Sequence, residues 1–143
     1  MKRRLKRGLL YIDSNIFIYP IIYNETTILE SKNCKNFLLK IASGEVEAYT
    51  SLITWDEITW IVRRILGVEA SVNQGRKFLK FPNLKILGIR KTTILKAQEI
   101  MEKYKLKSRD AIHAATAIEN KITTIVSYDR DFESIGELRR IEP

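Results

Sequence analysis

The stretch "LLYIDSNIFIYP", Leu9 to Pro20, carries an apolar run straight into a carboxylate. Leu9 to Ile12 reads as a short, fully buried strand, and Asp13 follows it with no spacer. Asn15 to Tyr19 reads as a brief helical turn that stops near Pro20, whose ring removes a backbone donor. A carboxylate amid so much apolar sequence is costly unless something pairs with it. Asp13 is therefore either a turn or helix-cap residue, roles that Asp favours, or one member of a cation site.

Working outward, the chain alternates short apolar strands with helices. Ile28 to Ala42 repeats apolar residues at helical spacing and ends before Gly44. Val46 to Ser51 is a second strand. Thr54 to Leu66 and Glu69 to Phe81 are helices, the first closed by Gly67 and the second bounded by Pro82. Leu84 to Ile89 returns to strand, Thr92 to Tyr104 and the Ala-rich Ser108 to Asn120 are helices, and Thr123 to Ser127 is a β-branched strand. Arg139 to Glu142 closes the order as a short edge strand. This alternation predicts an α/β protein with a central parallel sheet covered on both faces.

The totals narrow the function. At 143 residues and 45% hydrophobic content the chain is one globular domain, 9–143, preceded by a basic leader, 1–8. Lys2, Arg3, Arg4, Lys6 and Arg7 look like the start of an export signal, but Asp13 interrupts the apolar stretch behind them. No run reaches the ~20 apolar residues of a membrane span, and a single cysteine, Cys34, rules out an internal disulfide framework. The expectation is a cytoplasmic protein with no membrane contact. One Cys and one His exclude a Cys/His zinc site, so any metal is held by oxygen. A net charge of +8 favours a polyanionic partner, nucleic acid before others.

The acids follow the strand ends. Asp13 follows the first strand, Glu57 lies in the first turn of the helix after the second, and Asp110 lies in the first turn of "SRDAIHAATAIEN". Asp129 follows "TTIVS", with Asp131 two residues on. Ligands of open parallel sheets bind beyond the carboxyl ends of the strands, so topology places Asp13, Glu57 and Asp129 on one edge. Asp110 joins them if its helix points there. Each acid has a local alternative: Glu57 completes a capping box with Thr54, Asp110 favours a helix dipole, and Asp129 suits a turn. Clustered carboxylates repel, and a hard divalent cation, Mg²⁺ or Mn²⁺, relieves that repulsion.

"YIDSNIFIY", "TSLITWDEITW", "SRDAIHAATAIE" and "IVSYDRDFESI" resemble, in that order, the four acidic segments of the PIN domain, and most closely its small VapC-type toxins. The likeness runs from Leu9 to Glu142. It implies a three-layer α/β/α, Rossmann-like fold and a Mg²⁺- or Mn²⁺-dependent endoribonuclease, in which a metal-activated water leaves a 5′-phosphate and a 3′-hydroxyl. The catalytic and metal-holding acids it implies are Asp13, Glu57, Asp110 and Asp129, with Asp131 competing for the fourth place. Asn15 and Ser127 match accompanying polar positions, and Asp110 or Asp129 are the candidates for a general base. The resemblance further implies a homodimer and a small antitoxin partner that blocks the site. An RNA-processing nuclease and a non-catalytic RNA- or protein-binding module of the same fold remain open.

Other residues divide between site and scaffold. Arg109 and Arg130 sit beside the acids in sequence and are the candidates for RNA phosphates. His113, three residues after Asp110, reads as a packed or surface histidine in preference to one that orients Asp110. Trp55 and Trp60 do not share a helix face, so at least one is expected in the core or at a subunit contact. Trp60, Ile61, Ile65, Leu66 and the stretch Ile16 to Tyr23 supply material for a dimer surface. Cys34 reads as a small buried apolar residue.

Overall fold

A computed structural model describes residues 8–143; the basic residues of the leader lie outside the described residues. Five strands, β1 (Leu9–Ile12), β2 (Glu47–Ser51), β3 (Leu84–Leu87), β4 (Thr124–Val126) and β5 (Arg139–Ile141), form one sheet in the order β3-β2-β1-β4-β5. Every pairing is parallel. The helices are α1 (Ser14–Ile22), α2 (Leu29–Ala42), α3 (Ile53–Leu66), α4 (Val68–Leu79), α5 (Lys91–Tyr104) and α6 (Ser108–Glu119), and a short 3-10 helix spans Arg130–Ser134. This is the three-layer α/β/α class expected.

Strand alternation sends β1 into two cores. Leu10 and Ile12 join Ile16, Phe17, Phe37, Ile58 and Phe78 on the face covered by α1 to α4. Tyr11 points the other way, into Ile100, Ala114, Ile125 and Phe132 on the face covered by α5 and α6. Central parallel strands must be apolar on both sides for this reason, which accounts for the unbroken run before Asp13. The alanines of α6, Ala111, Ala114, Ala115 and Ala117, are fully buried and bring that helix close to the sheet.

The chain leaves β1 toward β2 and β3, then crosses back to β4 on the other side of β1. The order therefore reverses between β1 and β4, the place where open sheets of this kind bind ligands. The register Ile12↔Val126, continued by one residue, sets Asp13 beside Ser127. The Asp13 backbone N–H donates to the Val126 carbonyl at 3.0 Å, and that of Ser127 to Ile141 at 2.9 Å.

Local signals went wrong at two points. Helix α1 does not stop near Pro20 but runs through it to Ile22, and Tyr23 N–H closes on the Tyr19 carbonyl. Proline removes one hydrogen bond there, yet burial of Ile16 and Phe17 holds the helix together around it. The capping box of Thr54 and Glu57 does not form either. Helix α3 begins at Ile53, whose N–H donates to Ser51 Oγ at 3.0 Å, and Thr54 is buried with its hydroxyl 2.7 Å from Thr50 Oγ1. Neither tryptophan is in the core: Trp55 is 42% and Trp60 49% exposed, with Arg64 stacked over the Trp60 ring.

Candidate active site

Asp13 fills the capping role its sequence allowed. It caps α1, its Oδ1 accepting from Ser14 N–H at 2.8 Å, and it is buried at 4% exposure. Its other oxygen, Oδ2, accepts from the Ser127 hydroxyl at 2.6 Å. Ser127, wholly buried, also accepts from the Asp129 N–H at 2.9 Å and lies 3.4 Å from Asn15 Nδ2. One hydroxyl thus ties the ends of β1 and β4 together. Even so, burial raises the Asp13 carboxyl above its usual range, with the neighbouring His113 and the Ser127 bond partly offsetting the effect.

Glu57, freed from capping, accepts at Oε1 from His113 Nε2 at 2.6 Å. The same nitrogen lies 3.5 Å from Asp13 Oδ1, so these two carboxylates are no further apart than those distances combined. Asp110 occupies the first turn of α6, whose N-terminus faces the acids. Burial, followed by the charges of Asp13 and Asp129, pushes its carboxyl up to about 7. Carboxylate oxygens of Asp110, Asp129 and Asp131 fall within 4.8 Å of one another. Both candidates for the fourth acid, Asp129 and Asp131, lie in this cluster, and Asp129 also caps the 3-10 helix by accepting from Asp131 N–H at 2.9 Å.

The donor set suits a hard divalent cation. It is built of carboxylates, and beside it Asn15 Oδ1 is the one buried side-chain atom among the described residues that lacks a hydrogen-bond partner. An oxygen left without a donor near several anions is what an oxygen-seeking cation would satisfy. Of the two arginines singled out, Arg130 is exposed at the start of the 3-10 helix, whereas Arg109 is engaged with Asp56 at 3.2 Å.

Sequence reasoning missed two partners of this site. His113 is packed, as expected, but it contacts Glu57 and Tyr11 and not the bulk core alone. Two signals pointed to them. Tyr11 and Asp13 share a strand face at i, i+2, and Asp110 and His113 share a helix face at i, i+3. Cys34 is buried as expected, its thiol raised to about 12 and so unreactive.

Fold and site together define a doubly wound α/β protein with a clustered acidic edge at its topological switch point. The PIN domain family model matches residues 10–138, and the chain belongs to that family. Ribonuclease VapC2 of Methanocaldococcus jannaschii is 28% identical over 147 residues, covering 98% of this chain and 99% of that protein. Among solved structures, the Sarcin-Ricin loop cleaving toxin VapC20 of Mycobacterium tuberculosis aligns with a TM-score of 0.74 at 14% identity, over 94% of this chain and 99% of that one. VapBC2 of Rickettsia felis, bound to a DNA fragment from its promoter, aligns with a TM-score of 0.69 at 20% identity, over 94% and 98%. Among the described residues no helix is long and apolar enough to cross a membrane.

Proposed function

We propose that this protein is a Mg²⁺- or Mn²⁺-dependent endoribonuclease that hydrolyses RNA phosphodiester bonds, and that it acts as the toxin of a toxin–antitoxin pair. The observation that carries the reading is the convergence of Asp13, Glu57, Asp110 and Asp129, with Asp131, on the switch-point edge of a basic protein. A full-length relative named as a ribonuclease supports it. A cation held there would supply charge stabilisation at the scissile phosphate and a more acidic water. The chain's own residues do the rest. Ser127 holds Asp13 in place, and Asp110 or Asp129 accepts the proton of the attacking water.

The test uses single-stranded RNA with and without Mg²⁺. Metal-free protein binds the RNA with an affinity that falls steeply as salt rises, by a slope of about −0.7 per phosphate contacted on a log–log plot. Cleavage begins only on addition of Mg²⁺ or Mn²⁺ and leaves 5′-phosphates. Salt-independent binding, or no cleavage with either cation, overturns the reading in favour of a protein-binding module.

Partnership belongs to the same proposal. Trp60, Ile65 and Leu66 are about half exposed and supply an apolar patch for a homodimer, while Ile16 and Phe17 are buried and Ile61 is partly buried, so they serve the core instead. Aromatic residues suit the centre of such an interface. An antitoxin segment would fit the groove of about 690 Å³ lined by Phe17, Ile21, Leu38, Phe78 and Phe81, with Arg76 and Lys80 on its margin. Sedimentation at micromolar concentration should give a dimer, and Trp60→Asp should shift it to monomer; a wild-type monomer removes the dimer alone.

A further inference from the structure

His113 is the chain's single histidine and lies in the middle of α6 with no solvent exposure. A buried imidazole must satisfy two ring nitrogens, and a packing role would be filled at less cost by leucine. Both nitrogens are engaged, each by a residue distant in sequence. Nδ1 lies 2.7 Å from the Tyr11 hydroxyl on β1, and Nε2 lies 2.6 Å from Glu57 Oε1 on α3. The Tyr11 ring stands edge-on to the imidazole at 5.6 Å, so the phenol also fixes the plane of the ring. Nδ1 pairs with the Tyr11 hydroxyl whether the ring is neutral, with the phenol donating, or charged, with Nδ1–H donating, so in both states the Nε2 proton points at Glu57.

Glu57 depends on that contact. Its side chain is 18% exposed, and Asp13 and Asp110 repel it. Without a fixed donor, a glutamate with three rotatable bonds would turn toward water and away from the other acids. We infer that His113 is a positioning residue of the acidic site: Tyr11 locks its ring through Nδ1, and its Nε2–H holds the Glu57 carboxylate facing Asp13. This role deepens the proposed nuclease reading and rests on it. Loss of a partner that orients a ligating carboxylate commonly changes metal affinity or activity by roughly 10–100-fold.

Two substitutions separate this role from simple packing. His113→Gln carries its amide N–H to about the place of Nε2 and can still donate to Glu57. His113→Asn reaches only the place of Nδ1, so it can bond Tyr11 but not Glu57. In RNA-free protein, His113→Asn should weaken Mn²⁺ binding about tenfold or more, while His113→Gln stays within about threefold of wild type. With RNA, the Asn variant should lose kcat by a similar factor at nearly unchanged KM, and the Gln variant should recover most of it. If both variants lose Mn²⁺ affinity alike, in step with their melting temperatures, His113 is only a packing residue. Should neither variant fold, the imidazole N–H resonance decides: in wild type it lies downfield, and Glu57→Gln should move it upfield. A resonance indifferent to Glu57→Gln overturns the contact. A wild-type chain that cuts no RNA but shows the Mn²⁺ difference retires the nuclease reading and leaves the role of His113 standing. A wild type that binds no Mn²⁺ overturns both.

Discussion

Asp13→Asn and Asp110→Asn are each expected to abolish RNA cleavage while leaving the protein folded. The loss should exceed the roughly 10–100-fold that follows removal of an outer partner, because Asp110 lies in the carboxylate cluster itself and Asp13 is the neighbouring charge that acts on it most strongly. The fold should survive for reasons particular to each site. Asparagine caps helices about as well as aspartate, so Asp13→Asn keeps the bond from Ser14 N–H, and the new amide can donate to Ser127 Oγ in place of accepting from it. Asp110 sits in a first turn where its charge is opposed by Asp13, Asp129 and Glu57, and neutralising it removes that repulsion. Melting temperatures in metal-free buffer should therefore be unchanged or higher, most clearly for Asp110→Asn. Gel-resolved cleavage of a labelled RNA, alongside thermal melts, makes the measurement. Cutting at the wild-type rate by both variants would show that the site lies elsewhere.

The metal-free protein should lose stability as pH rises, and Mg²⁺ should restore it. Asp13, Asp110 and His113 all have folded-state pKa values above their ordinary ones. Burial raises the two carboxyls. For His113 burial acts in the opposite direction, but the Glu57 bond and the charges of Asp13 and Glu57 outweigh it. In each case the folded state holds a proton that the unfolded chain has released, so the stabilisation is complete below the unfolded pKa and disappears as pH passes the folded one. For Asp110 that window runs from its ordinary 3.8 to about 7. Melts should fall from pH 5 to pH 8, and Asp110→Asn should flatten much of the slope. A cation at a hundredfold excess over its dissociation constant would add about 2.7 kcal/mol, roughly 8–10 °C for a chain of this length. The gain should be greatest at pH 8, where no proton competes for the carboxylates. A melt that ignores Mg²⁺ at pH 8 would contradict the cation site.

Much of this was legible in the residues alone. The apolar run from Leu9 to Ile12 demanded a strand buried on both faces, and alternation of strands with helices demanded a parallel sheet. Once the sheet is parallel, every strand ends on the same edge, so the carboxylates after β1 and β4 had to share that edge. Oxygen chemistry followed from having one cysteine and one histidine. The acidic segments, in their order, pointed to the family that the match over residues 10–138 then established.

Tertiary structure alone decided the partners. Capping boxes and proline stops are local rules, and they failed at Glu57 and at Pro20 because contacts distant in sequence outweighed them. Glu57 turned to His113, 56 residues away, in preference to its own helix end. Pro20 stayed helical because α1 buries Ile16 and Phe17 beneath it. Asp131 joined Asp110 and Asp129 only through the turn of the 3-10 helix. Likewise, helical spacing could not say that Trp60 faces outward while Ile61 packs inward, since that depends on which side of α3 meets the sheet. Periodicity and charge are written along the chain, whereas the partner of a buried polar group is fixed only when remote elements close around it.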